Sequence, residues 1–177
     1  FATYWMHNGM LTLKSEKMSK SLGNMVLIDE FLADHPGDIM RLLVLNGSYR
    51  SPLTYSDEVL AQTEQAYKRL LSAKKGAEPG AAGLEAARAA ALEAEARKTR
   101  AQFKEAMDDD FNSAAALAAL FELVRAINQA RSEGASQAQL APAVQVFEEL
   151  TGVLGLQLVE ESSGTTKADA FIELLIA

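Results

Sequence analysis

The run from Leu84 to Leu154 constrains the fold most: apolar side chains recur there at helical spacing, and Pro142 is its one proline. Residues 84–107 read as a long alanine-rich helix, because alanine costs the least to hold helical. Asp108-Asp109-Asp110 breaks it. Asp110 or Asn112 can cap the next helix, which carries Leu117, Leu120, Phe121, Val124 and Ile127 on one face and ends at Gly134. A further helix holds Leu140, Val144, Phe147, Leu150, Val153 and Leu154, with Pro142 in its first turn and Gly155 closing it. Ahead of this run, Ser56 caps a helix striped by Val59, Leu60, Tyr67, Leu70 and Leu71, which Gly76 stops. The GAEPGAAG stretch, 76–83, reads as a flexible linker. Four helices with short connections predict an antiparallel, up-and-down bundle.

The first fifty-five residues differ. Phe1, Tyr4, Trp5, Met10, Leu11 and Leu13 surround a turn-like Asn8-Gly9, which predicts two short strands in a hairpin. Residues 14–24 are polar and read as a loop, followed by a short helix from Asp29 and another beginning at Pro36. Residues 49–55 read as an extended connection, since Pro52 disfavours helix at Ser51. The chain thus divides into a small mixed α/β part (1–55), a helical bundle (56–155) and a polar, flexible segment with the start of one more helix (156–177). Its abrupt ends suggest a piece of a longer protein.

Several functions are excluded or weakened by composition. No cysteine is present, so disulfides and thiolate metal sites are out, and His7 and His35 are too few for a metal centre of this chain's own. No apolar run approaches membrane-spanning length. A net charge of −7 weakens a nucleic-acid reading. Charge is uneven, however: residues 1–55 carry five basic and five acidic side chains, so the deficit lies wholly downstream. An acidic protein can still present one basic face.

The chemistry concentrates in Glu16-Lys17-Met18-Ser19-Lys20-Ser21-Leu22-Gly23-Asn24. Two lysines three apart can converge on one polyanion. The serines add hydroxyl donors, and Gly23 permits close backbone approach. A loop without helical neighbours can move, which suits a triphosphate gripped during reaction and then released.

Lys17-Met18-Ser19-Lys20-Ser21 resembles the KMSKS signature of class I aminoacyl-tRNA synthetases. Flanking residues narrow the likeness. Tyr4-Trp5-Met6-His7-Asn8-Gly9, Tyr49-Arg50-Ser51-Pro52-Leu53-Thr54-Tyr55-Ser56 and Met107-Asp108-Asp109-Asp110-Phe111-Asn112 are similar, in that order, to cysteine–tRNA ligases. Ser48 stands where the family usually has histidine. The resemblance implies a mainly α fold: the small α/β end of a class I catalytic domain, then an antiparallel bundle of the anticodon-binding type. It implies that ATP and cysteine form cysteinyl-adenylate, which charges tRNA for cysteine. Lys20 and Lys17 would be the catalytic cations, and Lys17, Met18, Ser19, Lys20 and Ser21 the ATP-binding run, with Mg2+ beside the phosphates. The family's HIGH motif and its zinc ligands are missing here, so zinc belongs to other parts of such an enzyme, and this piece alone would be inactive. A cytoplasmic, monomeric protein is expected.

Other residues carry two readings each. Trp5 and His7 line the adenosine site, or serve as packing and structural side chains. Arg50 meets tRNA phosphate, or forms an ordinary salt bridge. Arg97 and Arg100 are candidate tRNA contacts, and a docking face requires Arg88, Arg97, Lys98, Arg100, Lys104, Arg125 and Arg131 to converge. Two rival functions remain open: the cysteine-activating ligase of mycothiol synthesis, and a non-catalytic helical RNA-binding module. The lysine loop is expected to be mobile.

Overall fold

A computed structural model describes residues 2–13, 16–17 and 27–159, with Leu13, Glu16 and Lys17 described by backbone alone. Strands β1 (Leu11–Leu13) and β2 (Glu16–Lys17) are followed by helices α1 (Ile28–Asp34) and α2 (Gly37–Leu45), then strand β3 (Leu53–Tyr55). Four long helices complete the order: α3 (Asp57–Ala73), α4 (Ala86–Asp108), α5 (Ser113–Ser132) and α6 (Gln137–Val153).

The sheet runs β2-β1-β3. β1 pairs antiparallel with β2, setting Thr12 opposite Lys17, and parallel with β3, setting Leu11 opposite Leu53. The expected hairpin at Asn8-Gly9 does not form: residues 2–10 lie outside any strand, and pairing begins just after them. Gly9 has another duty. Its N–H donates to the Tyr49 carbonyl at 2.7 Å, and a Cβ there would lie 2.0 Å from the Ser51 carbonyl oxygen. The connection around Pro52, expected to be merely extended, ends in β3.

The four long helices alternate in direction. The start of α4 meets the end of α5 through Arg88 and Glu133, while the ends of α3 and α5 meet through Ser72 and Asn128. α5 is central and packs on α2, α3, α4 and α6. Its Leu120, Leu123 and Ile127 are wholly buried, as are Leu70 of α3 and Leu140 and Phe147 of α6. Phe31, Ile39 and Leu42 bring α1 and α2 into the same core. Burying such side chains contributes about 1.5–3 kcal/mol each before entropy is counted.

Helix ends follow side-chain chemistry. Ser56 accepts from the Val59 N–H, Asn112 from the Ala115 N–H, and Ser136 forms a reciprocal capping box with Gln139. Asn112, not Asp110, is therefore the α5 cap. Pro36 lies just ahead of α2, and Pro142 lies within α6 rather than in its first turn.

Two stretches expected to be loose are fastened. In the 76–83 linker, Ala77 N–H donates to Gln137 and Gly83 N–H to the Gly134 carbonyl; just beyond it, Leu84 N–H donates to Gln139. Arg131, 7% exposed, donates to the carbonyls of Ala73, Lys75 and Gly76 at the end of α3. The 156–159 stretch is likewise held. Leu156 and Leu158 are buried, and Asp38 accepts from the Gln157 and Leu158 N–H groups at 3.0 and 2.7 Å. Lys74 and Tyr67 donate to the Leu158 and Val159 carbonyls. The helix expected from 168 lies outside the described residues.

Candidate functional site

The strand pair carries the first lysine. Lys17 closes β2 with its backbone opposite Thr12 of β1. Thr12 also reaches across to β3, donating from Oγ1 to the Leu53 carbonyl at 3.3 Å. Met18, Ser19, Lys20 and Ser21, and the expected mobility of the loop, lie outside the described residues.

Trp5 and His7 stand on the exposed chain ahead of β1. Trp5 is 68% exposed, so the described residues do not bury it in a core. Beside the sheet lies an apolar groove lined by Leu11, Leu27, Ile28, Phe31, Leu53 and Tyr55. His35 stacks on Phe31 with ring centroids 4.8 Å apart, and its Nδ1 lies 3.2 Å from Glu64. Among the described residues no group of three His, Cys, Asp or Glu side chains is disposed as metal ligands.

Arg50 forms the ion pair that was one of its two readings. Its Nε donates to Asp110 Oδ2 at 2.6 Å and its Nη2 to Oδ1 at 2.9 Å. Tyr49 donates its hydroxyl to the same Oδ1 at 2.8 Å. Three charge-assisted hydrogen bonds hold the Asp110 carboxyl down at about 2, the Arg50 hydrogen bond contributing most. The same partnership raises the Arg50 guanidinium and the Tyr49 phenol above their ordinary values. Because the Asp110 value is depressed, the contact is complete above the ordinary carboxyl value of 3.8 and is lost as pH falls toward 2.

The helix cations do not form one bare face. Arg88 pairs with Glu133, Arg97 with Glu93, Lys98 with Glu95, Arg100 with Glu149, Lys104 with Asp108 and Arg125 with Glu122. Arg88, Lys98 and Arg125 share a polar groove between α4 and α5, whereas Arg97, Arg100 and Lys104 do not line it. Arg131 leaves the set altogether, since burial pushes its guanidinium down and its donors serve backbone carbonyls. Convergence is thus partial. Sequence reasoning missed this role of Arg131 and the use of Asp110, whose partners lie about sixty residues away.

Comparison with known proteins fits this arrangement. The family described as tRNA synthetases class I (C) catalytic domain matches residues 1–65, and the DALR domain family matches residues 102–159. A LeuRS–tRNA–LeuAMS ternary complex from Agrobacterium radiobacter superposes on 84% of the chain and 22% of that structure, with a TM-score of 0.60 and 20% identity. At that identity the likeness is one of fold. A catalytic-domain match at the strands and a DALR-domain match in the later helices together define a segment of a class I aminoacyl-tRNA synthetase. Cysteine–tRNA ligases from Dehalococcoides mccartyi and Desulfitobacterium hafniense are 43% and 42% identical over 99% of the chain, covering 36% and 39% of those proteins. The chain belongs to the cysteine–tRNA ligase family and spans little more than a third of the length of these relatives.

Proposed function

We propose that the chain is the part of an ATP-dependent, cytoplasmic, monomeric cysteine–tRNA ligase that supplies the phosphate-handling lysine run and the helices on which tRNA docks. The division proposed is 1–55 for the catalytic remnant, 56–155 for the tRNA-binding helices and 156–177 for the segment that follows them, of which 156–159 is fastened to α2 and α3. The observation that carries the reading is the order of its parts: a lysine run opening on a strand pair, then a helical bundle, in a chain whose relatives bear that ligase's name.

In the proposed reaction the cysteine carboxylate attacks the α-phosphate of ATP and pyrophosphate leaves. Lys20 neutralises charge growing on the leaving group, and Lys17, Met18, Ser19 and Ser21 complete the ATP-binding run. Mg2+ would share the phosphate charge; zinc would be held by residues outside this chain. Trp5 and His7 would line the adenosine; both are exposed on the chain ahead of β1. Arg97 and Arg100, both at least half exposed, would meet tRNA by exchanging a carboxylate partner for a phosphate.

A cation engaged chiefly in the transition state contributes roughly 2.7–4 kcal/mol, by analogy with oxyanion donors. Lys20→Ala in the intact enzyme is therefore expected to slow cysteine-dependent pyrophosphate exchange about 100-fold, with cysteine affinity nearly unchanged. Equal exchange rates for variant and parent would sink the role given to Lys20.

A further inference from the structure

The α4–α5 corner carries an uncommon backbone. Asp110 and Phe111 are consecutive non-glycine residues in the left-handed region, at φ 51° and 55°. Such residues persist when surrounding contacts over-determine them. They close the end of α4, where the Phe111 and Asn112 N–H groups donate to the Met107 and Ala106 carbonyls, while Asn112 caps α5. What the corner achieves is to turn the Asp110 carboxylate outward, onto Tyr49 and Arg50 some sixty residues earlier.

The connector that receives it faces two ways. Its side chains reach the helices, with Tyr49 and Arg50 on Asp110, and its Gly47 carbonyl accepts from the Ser113 hydroxyl at 3.4 Å. Its backbone reaches the strands: the Tyr49 carbonyl accepts from Gly9, and Leu53 N–H donates to the Met10 carbonyl at 3.0 Å. From there β1 passes to β2, Thr12 opposite Lys17. An unbroken series of hydrogen bonds therefore joins the helix corner to the strand on which the lysine run opens.

We propose that Asp110 is a positioning residue: through Tyr49 and Arg50 it sets the strand pair carrying Lys17 in a fixed relation to the α4–α5 corner. The inference deepens the ligase reading and rests on it for its consequence, that RNA held on the helices and ATP held by the lysine run share one frame. Arg50 and Asp110 are both more than half exposed, and an exposed pair adds little to global stability. The clasp contributes orientation, and this separates it from a merely structural contact.

The test uses the intact protein with Asp110→Gly, which removes the carboxylate and relieves the left-handed backbone at that position in one change. The melting temperature is expected to hold or rise. Amide exchange across residues 9–13 is expected to quicken about tenfold, as a locally released segment opens more often. The kcat of cysteine-dependent pyrophosphate exchange is expected to fall while the KM for cysteine stays put. Asp110→Asn, which keeps one acceptor, should lie between the two. Parental amide exchange in Asp110→Gly overturns the proposal. If Asp110→Gly fails to fold, Arg50→Gln breaks the same bonds from the connector, and parental exchange there overturns it equally. If the parent shows no cysteine-dependent pyrophosphate exchange, the ligase reading fails, and the amide-exchange comparison still decides the clasp.

Discussion

The helices from α2 onward and the three-stranded sheet obey different rules. The helices bury most of their apolar side chains, with Leu70, Leu117, Leu120, Leu123, Ile127 and Phe147 at 2% exposure or less, and leave Val44 and Val153 exposed. Around the sheet, Tyr4, Trp5, Met6, Met10, Leu11, Leu27 and Ile28 are all more than 40% exposed. A surface this apolar marks an interaction site rather than a finished exterior. The helices hold themselves by the hydrophobic effect. The sheet is held chiefly by backbone hydrogen bonds, with the Thr12 hydroxyl on the Leu53 carbonyl, Tyr55 against Phe31 and a close approach at Gly9. The helices should thus respond to lost volume, and the sheet to lost geometry.

Phe147→Ala is the strongest way to break that comparison. The ring is wholly buried at the centre of α6, so its removal should cost about 3–5 kcal/mol, read as a lower urea midpoint for the helical signal. A change below about 1 kcal/mol would mean that the helices are not packed as described. Gly9→Ala should cost less, roughly 1–3 kcal/mol, because the new methyl must push the backbone of Ser51 aside. Its effect should appear as faster amide exchange in residues 9–13 and 51–55, with the α4–α6 amides unchanged. Uniform acceleration through α5 would show that sheet and helices open as one unit.

How much of this was legible in the sequence also divides between the two regions. Helical periodicity is a local signal, and the stripes in 56–154 lead directly to α3, α4, α5 and α6. Gly9 misleads because Asn-Gly is a turn signal locally, while its actual constraint comes from Ser51, far along the chain. Asp110 misleads for the same reason: three aspartates beside a helix start suggest a cap, and nothing nearby reveals Arg50. The linker at 76–83 reads as flexible because composition says nothing of Arg131 or Gln137, which reach it from α5 and α6. Of the candidate site, the lysine run stands out by motif, and its members after Lys17 lie outside the described residues.

Thr99 sharpens the comparison from inside the helices. It is fully buried in α4, and its hydroxyl has no hydrogen-bond partner among the described residues. A buried, unpaired hydroxyl costs more than the methyl that would replace it. Thr99→Val should therefore raise stability by on the order of 1 kcal/mol. A loss on substitution would show that the hydroxyl is satisfied in solution, and that α4 is less purely apolar on its inner face than it looks.

The smallest effect is the most useful for function. Arg97 pairs with Glu93 one turn earlier at 3.7 Å, and both side chains are more than half exposed. Screening and side-chain entropy leave such a pair worth very little, so Arg97→Ala should change folding stability by less than about 0.5 kcal/mol. That near-silence is what makes the residue informative. A contact between Arg97 and an RNA phosphate would show as weaker binding to cognate and non-cognate tRNA alike, with the salt dependence of log K shallower by about one. Unchanged salt dependence would remove Arg97 from the docking face. Attention would then pass to the groove shared by Arg88, Lys98 and Arg125, where three cations already converge and each would have to give up a carboxylate to take a phosphate.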